Sequence, residues 1–172
     1  MTIADWLMIT AVVAGPIIAV RLTRYLDNKK EVRERKLQIF KTLMATRAYT
    51  ISWDHVMTLN RIDLEFDKDD KKEKAVIEAW KEYLDLLGNK EISGDQWAVK
   101  RVDLLVELLH KMALVLDYDF DKTHIKNSSY SPVAHGDMES QQTALRIGLV
   151  EVLEGKRTLP MRITNWPNTN QS

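Results

Sequence analysis

Hydrophobic and polar residues follow three different rhythms along this chain. Residues 6–20, WLMITAVVAGPIIAV, form one uncharged apolar run. Residues 27–36, DNKKEVRERK, contain a single apolar side chain, Val32. From Leu37 onward apolar residues recur every three or four positions, the period that gathers them on one side of an α-helix. Leu37, Phe40, Leu43 and Met44 are the first such stripe.

The later stripes are separated by recognisable stops and starts. Ser52 is placed to cap a helix over about 53–66, with Val56, Leu59, Ile62 and Phe66 on its apolar side. Asp70 followed by Glu73 has the spacing of a capping box and opens a helix carrying Val76, Trp80, Tyr83, Leu84 and Leu87, ended by Gly88. Ser93 with Gln96 repeats the signal ahead of Val102, Leu105, Leu109, Met112, Val115 and Leu116, while Leu104, Leu108 and Leu114 widen that apolar face. Asp137 is placed to cap a last helix with Leu145, Leu149, Val152 and Leu153 inward and Gly155 at its end. No stretch alternates with the period of two that a half-buried strand requires, and no repeat is visible. The predicted fold class is all-α. An N-terminal transmembrane helix (residues 1–26) continues into a charged helical neck (27–36), a cytoplasmic bundle of about four helices (37–157) and a flexible Asn- and Pro-rich tail (158–172).

Charge decides how the apolar run is read. The chain is neutral overall, with 25 basic and 25 acidic residues, yet Arg21 to Arg47 holds nine basic residues against three acidic ones. The segment from Asp54 to Asp95 reverses the balance, with twelve acidic and seven basic residues. A secretory signal carries its positive charge ahead of the apolar stretch, whereas here MTIAD precedes it and the cations follow. Fifteen uncharged residues rise only about 22 Å as a helix, against a hydrocarbon core of about 30 Å. Arg21 and Arg24 can extend that reach by lifting their charged ends to the surface. Trp6 and Tyr25 stand near the two ends, where amphipathic rings favour the interface, and Gly15 and Pro16 are tolerated within membrane helices. The expected reading is a single span at the bacterial inner membrane, N-terminus outside and C-terminal domain in the cytoplasm. Arg21, Arg24, Lys29, Lys30, Arg33, Arg35 and Lys36 would then face anionic lipid at its cytoplasmic side.

Candidate chemistry is sparse. There is no cysteine, which excludes disulfides, thiolate nucleophiles and thiolate metal ligands. Asp117, Asp119 and Asp121 begin like a calcium loop, but Lys122 stands where Gly is needed and Ser128 where Glu is needed. The four histidines, His55, His110, His124 and His135, show no metal-binding spacing. Phosphate-loop, dinucleotide and serine-hydrolase motifs are absent. Asp63 and Glu65 lie two apart, on different faces of a helix, and Arg47 is a candidate ion-pair donor to them. No catalytic, cofactor or metal site is expected.

The segments ADWLM, IFKTLMATR, LNRIDLEF, AVIEAWKEYLDLL and LPM give the chain its most individual signature. In these it resembles a small bacterial family of uncharacterised, membrane-anchored helical proteins, and the resemblance covers most of the chain. It implies an inner-membrane location and a link to phage or stress response, and it supplies no catalytic residue. The function expected is a membrane-anchored interaction protein that self-associates. Its expected partners are membrane lipid, further copies of the chain and an unidentified protein, with no role for nucleic acid. The competing readings are a tethered nuclease or hydrolase built around Asp63 and Glu65, or an effector that permeabilises the bilayer once it oligomerises.

Overall fold

The structure, a computed structural model, describes residues 2–89, 91–92, 94–162 and 164, apart from the side chains of residues 5–7, 9–11, 13 and 133. All regular structure among them is helical: α1 (Ile3–Thr46), α2 (Trp53–Leu59), α3 (Ile62–Glu65), α4 (Lys71–Gly88), α5 (Gly94–Val115), α6 (Lys122–Asn127) and α7 (Val133–Leu153). Beyond α1, which holds the expected anchor and neck, six helices stand among the described residues where a bundle of about four was expected. The chain falls into two compact units, Met1–Ser129 and Tyr130–Ser172.

In the first unit, α1 runs unbroken for 44 residues. Helix propensity alone does not hold its polar middle, since DNKKEVRERK has almost nothing apolar to bury. The anchoring comes from its C-terminal end, where Leu37, Ile39, Phe40 and Leu43 enter the core. They meet Val76, Ile77, Trp80 and Tyr83 of α4 and Leu105, Leu108, Leu109 and Met112 of α5. Leu59, Ile62, Phe66 and Ile125 close the same core. Phe40 also stacks on Tyr118, with ring centroids 5.6 Å apart, and Tyr118 stacks on Phe120 at 5.6 Å.

Caps explain where the helices begin. Ser52 Oγ accepts from the His55 N–H, opening α2 as its sequence position predicts. The anticipated 53–66 helix is nevertheless divided at Asn60 and Arg61 into α2 and α3. Its apolar stripe still turns Leu59, Ile62 and Phe66 inward, while Val56 remains partly exposed. Asp70 Oδ1 accepts from the N–H groups of Lys72 at 2.8 Å and Glu73 at 3.0 Å. Those two bonds, the Glu73 one foremost, hold the Asp70 carboxyl below its ordinary pKa. Glu73 does not return the bond as a full capping box would, because its carboxylate is used by Lys36 and by the Asp67 N–H. Ser93 lies outside the described residues.

At the end of α5, the N–H of Tyr118 reaches Ala113 O at 2.9 Å and that of Asp117 reaches Leu114 O at 3.4 Å. This is a Schellman closure, and it puts Asp117 at φ 61°, the left-handed region that glycine enters without cost. Asp117→Gly is therefore expected to raise stability by about 0.5–1 kcal/mol, the relief of left-handed strain outweighing the added freedom of the unfolded chain. A thermal melt checks this: an unchanged or lowered midpoint contradicts it.

The second unit contains α7. It starts at Val133 after Pro132, so Asp137 lies inside the helix and does not cap it. Its end follows the expected pattern, with Gly155 at φ 73° and bonds from Gly155 N to Val152 O and Lys156 N to Glu151 O. Leu145, Leu149 and Leu153, read as inward-facing from their spacing, are exposed. The reading failed because spacing shows that a helix has an apolar face without showing that anything covers it. Residues 158–162 and 164 follow without helix, and 165–172 lie outside the description.

Candidate functional site

Two surfaces stand out once the core is accounted for. The first is the N-terminal part of α1. Met8, Val12, Ile17, Ile18, Val20, Leu22, Tyr25 and Leu26 are all exposed. On this helix described side chains become fully buried only from Lys36. Gly15 has open space where a Cβ would stand, and Pro16 sits inside the helix, where it lacks the N–H that would bond to the carbonyl of Val12. The Trp6 side chain lies outside the described residues. Among the described residues no helix is long and apolar enough to cross a membrane, so the expected span is without support from the structure.

The seven basic residues assigned to a lipid-facing surface divide into two sets. Arg21, Arg24, Lys29 and Lys30 are exposed, and the Lys29 ammonium lies 4.8 Å from the centre of the Tyr25 ring. The other three are turned to the bundle. Arg33 Nη2 donates to Leu116 O at 2.8 Å. Arg35 Nε donates to Glu65 Oε2 and its Nη1 to Glu31 Oε1, both at 2.8 Å. Lys36 Nζ lies 2.6 and 2.7 Å from the two oxygens of Glu73 and 5.7 Å from the Phe66 ring centre. The free basic surface thus contracts to the stretch of α1 from Arg21 to Lys30, nearest the apolar run.

Arg47, Asp63 and Glu65 are not brought together. Arg47 Nε donates to Ile125 O at 3.0 Å, its Nη1 to Met44 O, and its Nη2 to Ser128 Oγ at 3.1 Å. Asp63 accepts from Trp80 Nε1 at 3.1 Å, and Glu65 takes Arg35. Asp63 ties α3 to α4, Glu65 ties α3 to α1, and Arg47, just past the end of α1, reaches α6, so the structure brings no acid/base pair together at Asp63 and Glu65. Among the described residues no group of three His, Asp or Glu side chains could hold a metal ion. Of the three aspartates near the end of α5, Asp117 takes the left-handed turn position and Asp121 caps α6 through the His124 N–H.

The second surface is the exposed side of α7. Met138, Leu145 and Leu149 stand out from it at spacings of seven and four, and Val152 follows three residues later, half-buried. A cleft of about 680 Å³ runs between α7 and the segment Arg157–Pro160. The sequence reading placed Leu145, Leu149 and Val152 in the core and did not single out Met138.

No curated protein and no solved structure matches the chain. The description "Family of unknown function (DUF6680)" matches residues 1–172. A match over that whole length makes this chain a member of the DUF6680 family.

Proposed function

We propose that the protein is a membrane-anchored helical interaction module, held at the inner membrane by residues 1–26 and self-associating through its exposed helices, with its bundle on the cytoplasmic side. The observation that carries this reading is the outer part of α1. Eight large apolar side chains from Met8 to Leu26 lie bare to solvent along it, far more than an isolated helix keeps in water. Arg21 and Arg24 within the last part of that stretch and Lys29 and Lys30 just after it have no partner helix of their own, at a position where each can add about 1 kcal/mol of attraction to anionic headgroups. The orientation rests on the same asymmetry, cations after the apolar stretch and none before it.

Self-association is supported by α7. Its 138, 145, 149 and 152 positions follow the seven, four and three spacing of a coiled-coil seam, and a second copy of the same helix offers the matching surface. The permeabilising reading has no comparable support, since it needs both a span and an aqueous lining. A link to phage or stress response rests on the family resemblance alone and belongs to this proposal as its biological setting.

The absence of native cysteine makes the test direct. Single-cysteine forms T2C and E154C are expressed, and intact cells are treated with a membrane-impermeant maleimide. The protein is expected to sediment with membranes through alkaline carbonate, with T2C labelled and E154C protected. Release by carbonate with both sites protected would mean in-plane attachment and reject the span. Recovery in the soluble fraction would reject anchorage. In mild detergent, a strict monomer at micromolar concentration would reject self-association.

A further inference from the structure

A cavity of about 360 Å³ lies in the first unit between the α1–α2 turn, α2, α4 and α5. Its walls are apolar and aromatic, with Leu59, Trp80, Tyr83, Leu84 and Trp97 among them, and one cation, Arg101, enters it. None of these residues belongs to the anchor or to the α7 surface. The volume falls in the range of small-molecule sites, where a mostly apolar lining is combined with a few convergent polar groups.

Arg101 is held but not neutralised. Its Nη1 donates to Thr50 Oγ1 at 2.6 Å and its guanidinium lies 5.1 Å from the Trp97 ring centre. Its buried Nε has no hydrogen-bond partner. Among the described residues no carboxylate pairs with it, whereas Arg35, Arg61 and Arg157 each have one. An unpaired guanidinium at the edge of an apolar cavity is costly unless something anionic completes it. The charge is felt nearby, since it adds to burial in depressing the His55 pKa. The aromatic wall is also fixed by bonds that point away from any ligand, Trp80 Nε1 to Asp63 and Trp97 Nε1 to Leu86 O at 3.0 Å. Thr50, Asn60 and Tyr83 add neutral polar groups to the lining, and Arg101 is its one charged side chain. Leu84 and Leu87 line its rim, and Leu84 is 49% exposed although the helical stripe predicts it to be buried.

We infer that this cavity binds a small amphipathic monoanion of the carboxylate class, with its charged end on Arg101 and its apolar body against Trp80, Tyr83 and Trp97. Planar carboxylates match the guanidinium fork, and an aromatic or short aliphatic body fills the remainder.

The probe is 2-naphthoate, titrated calorimetrically into the full chain in nonionic detergent, beside naphthalene-2-carboxamide, which has the same body without the charge. Saturable binding of naphthoate is expected, with the carboxamide at least tenfold weaker. Arg101→Met should cost at least tenfold for naphthoate and leave the carboxamide unchanged. Should Arg101→Met fail to fold, Leu84→Trp decides the matter, because a half-exposed rim residue can be enlarged without disturbing the core and should abolish the saturable heat. No saturable heat below about 1 mM, equal binding of the two probes, or undiminished binding to Leu84→Trp each overturns the inference.

Discussion

Lys36→Met is expected to destabilise the protein by about 3 kcal/mol, and adding Glu73→Gln to it should restore much of that loss. Lys36 is only 7% exposed, and its ammonium is shared by both oxygens of a Glu73 carboxylate that is itself 16% exposed. Removing one member of a largely buried pair leaves the other charge without compensation, which typically costs about 3–5 kcal/mol. The lower end applies here because Glu73 keeps some solvent and a bond from the Asp67 N–H at 2.7 Å. Replacing both partners removes the stranded charge, and a methionine follows the path of the lysine stem past Phe66. A double-mutant cycle in urea measures the coupling. If the double variant is as unstable as the sum of the two single ones, the pair is not what joins α1 to α4.

Acid should weaken the fold through His55, by about 3 kcal/mol between the unfolded and folded pKa values of that one side chain. His55 is 0% exposed, and burial first, the Arg101 charge second, lowers its pKa from 6.5 to about 4. Its Nδ1 lies 2.8 Å from Thr46 Oγ1, and the Thr46 hydroxyl donates to Thr42 O. The Thr46 oxygen therefore accepts from Nδ1–H, which leaves Nε2 as a buried acceptor with no partner. Protonation would place a cation there beside a second cation. The folded state thus stays neutral at His55 while the unfolded chain takes up its proton, so this stability is complete above pH 6.5 and is lost as pH falls toward 4. Equilibrium unfolding at pH 7 and pH 4.5 should show the drop in the native protein and a smaller one in His55→Gln. Equal pH dependence in the two would mean that His55 is not held neutral.

Much of this architecture is legible in the sequence because it is local. Asp70 and Ser52 announce helix starts by side-chain chemistry acting two or three residues ahead, and both bonds form. Gly155 marks a C-terminus for the same reason. What was not legible depends on distant partners. Arg33, Arg35 and Lys36 look in sequence like the neighbours of Lys29 and Lys30. Their carboxylate and carbonyl partners lie 30, 37 and 83 residues away. The break between α2 and α3 carries no glycine or proline to signal it. Leu84 and Leu145 show the converse limit, since helical periodicity identifies an apolar side but tertiary neighbours choose how much of it is covered. The Arg101 cavity was missed altogether. It is assembled from three separate helices, and a lone arginine in WAVKRVDLL reads as an ordinary surface charge.

The three cations at the base of α1 act like the jaws of a chuck around a shaft. At about 100° per residue, positions 33 and 36 share one face a turn apart, while 35 points away from both, so the grip comes from two sides. Each jaw belongs to a different element: the carbonyl that ends α5, the carboxylate of α3 and the carboxylate of α4. A pull at the far end of that 44-residue rod therefore reaches α3, α4 and the end of α5 through side chains that lie within a single turn.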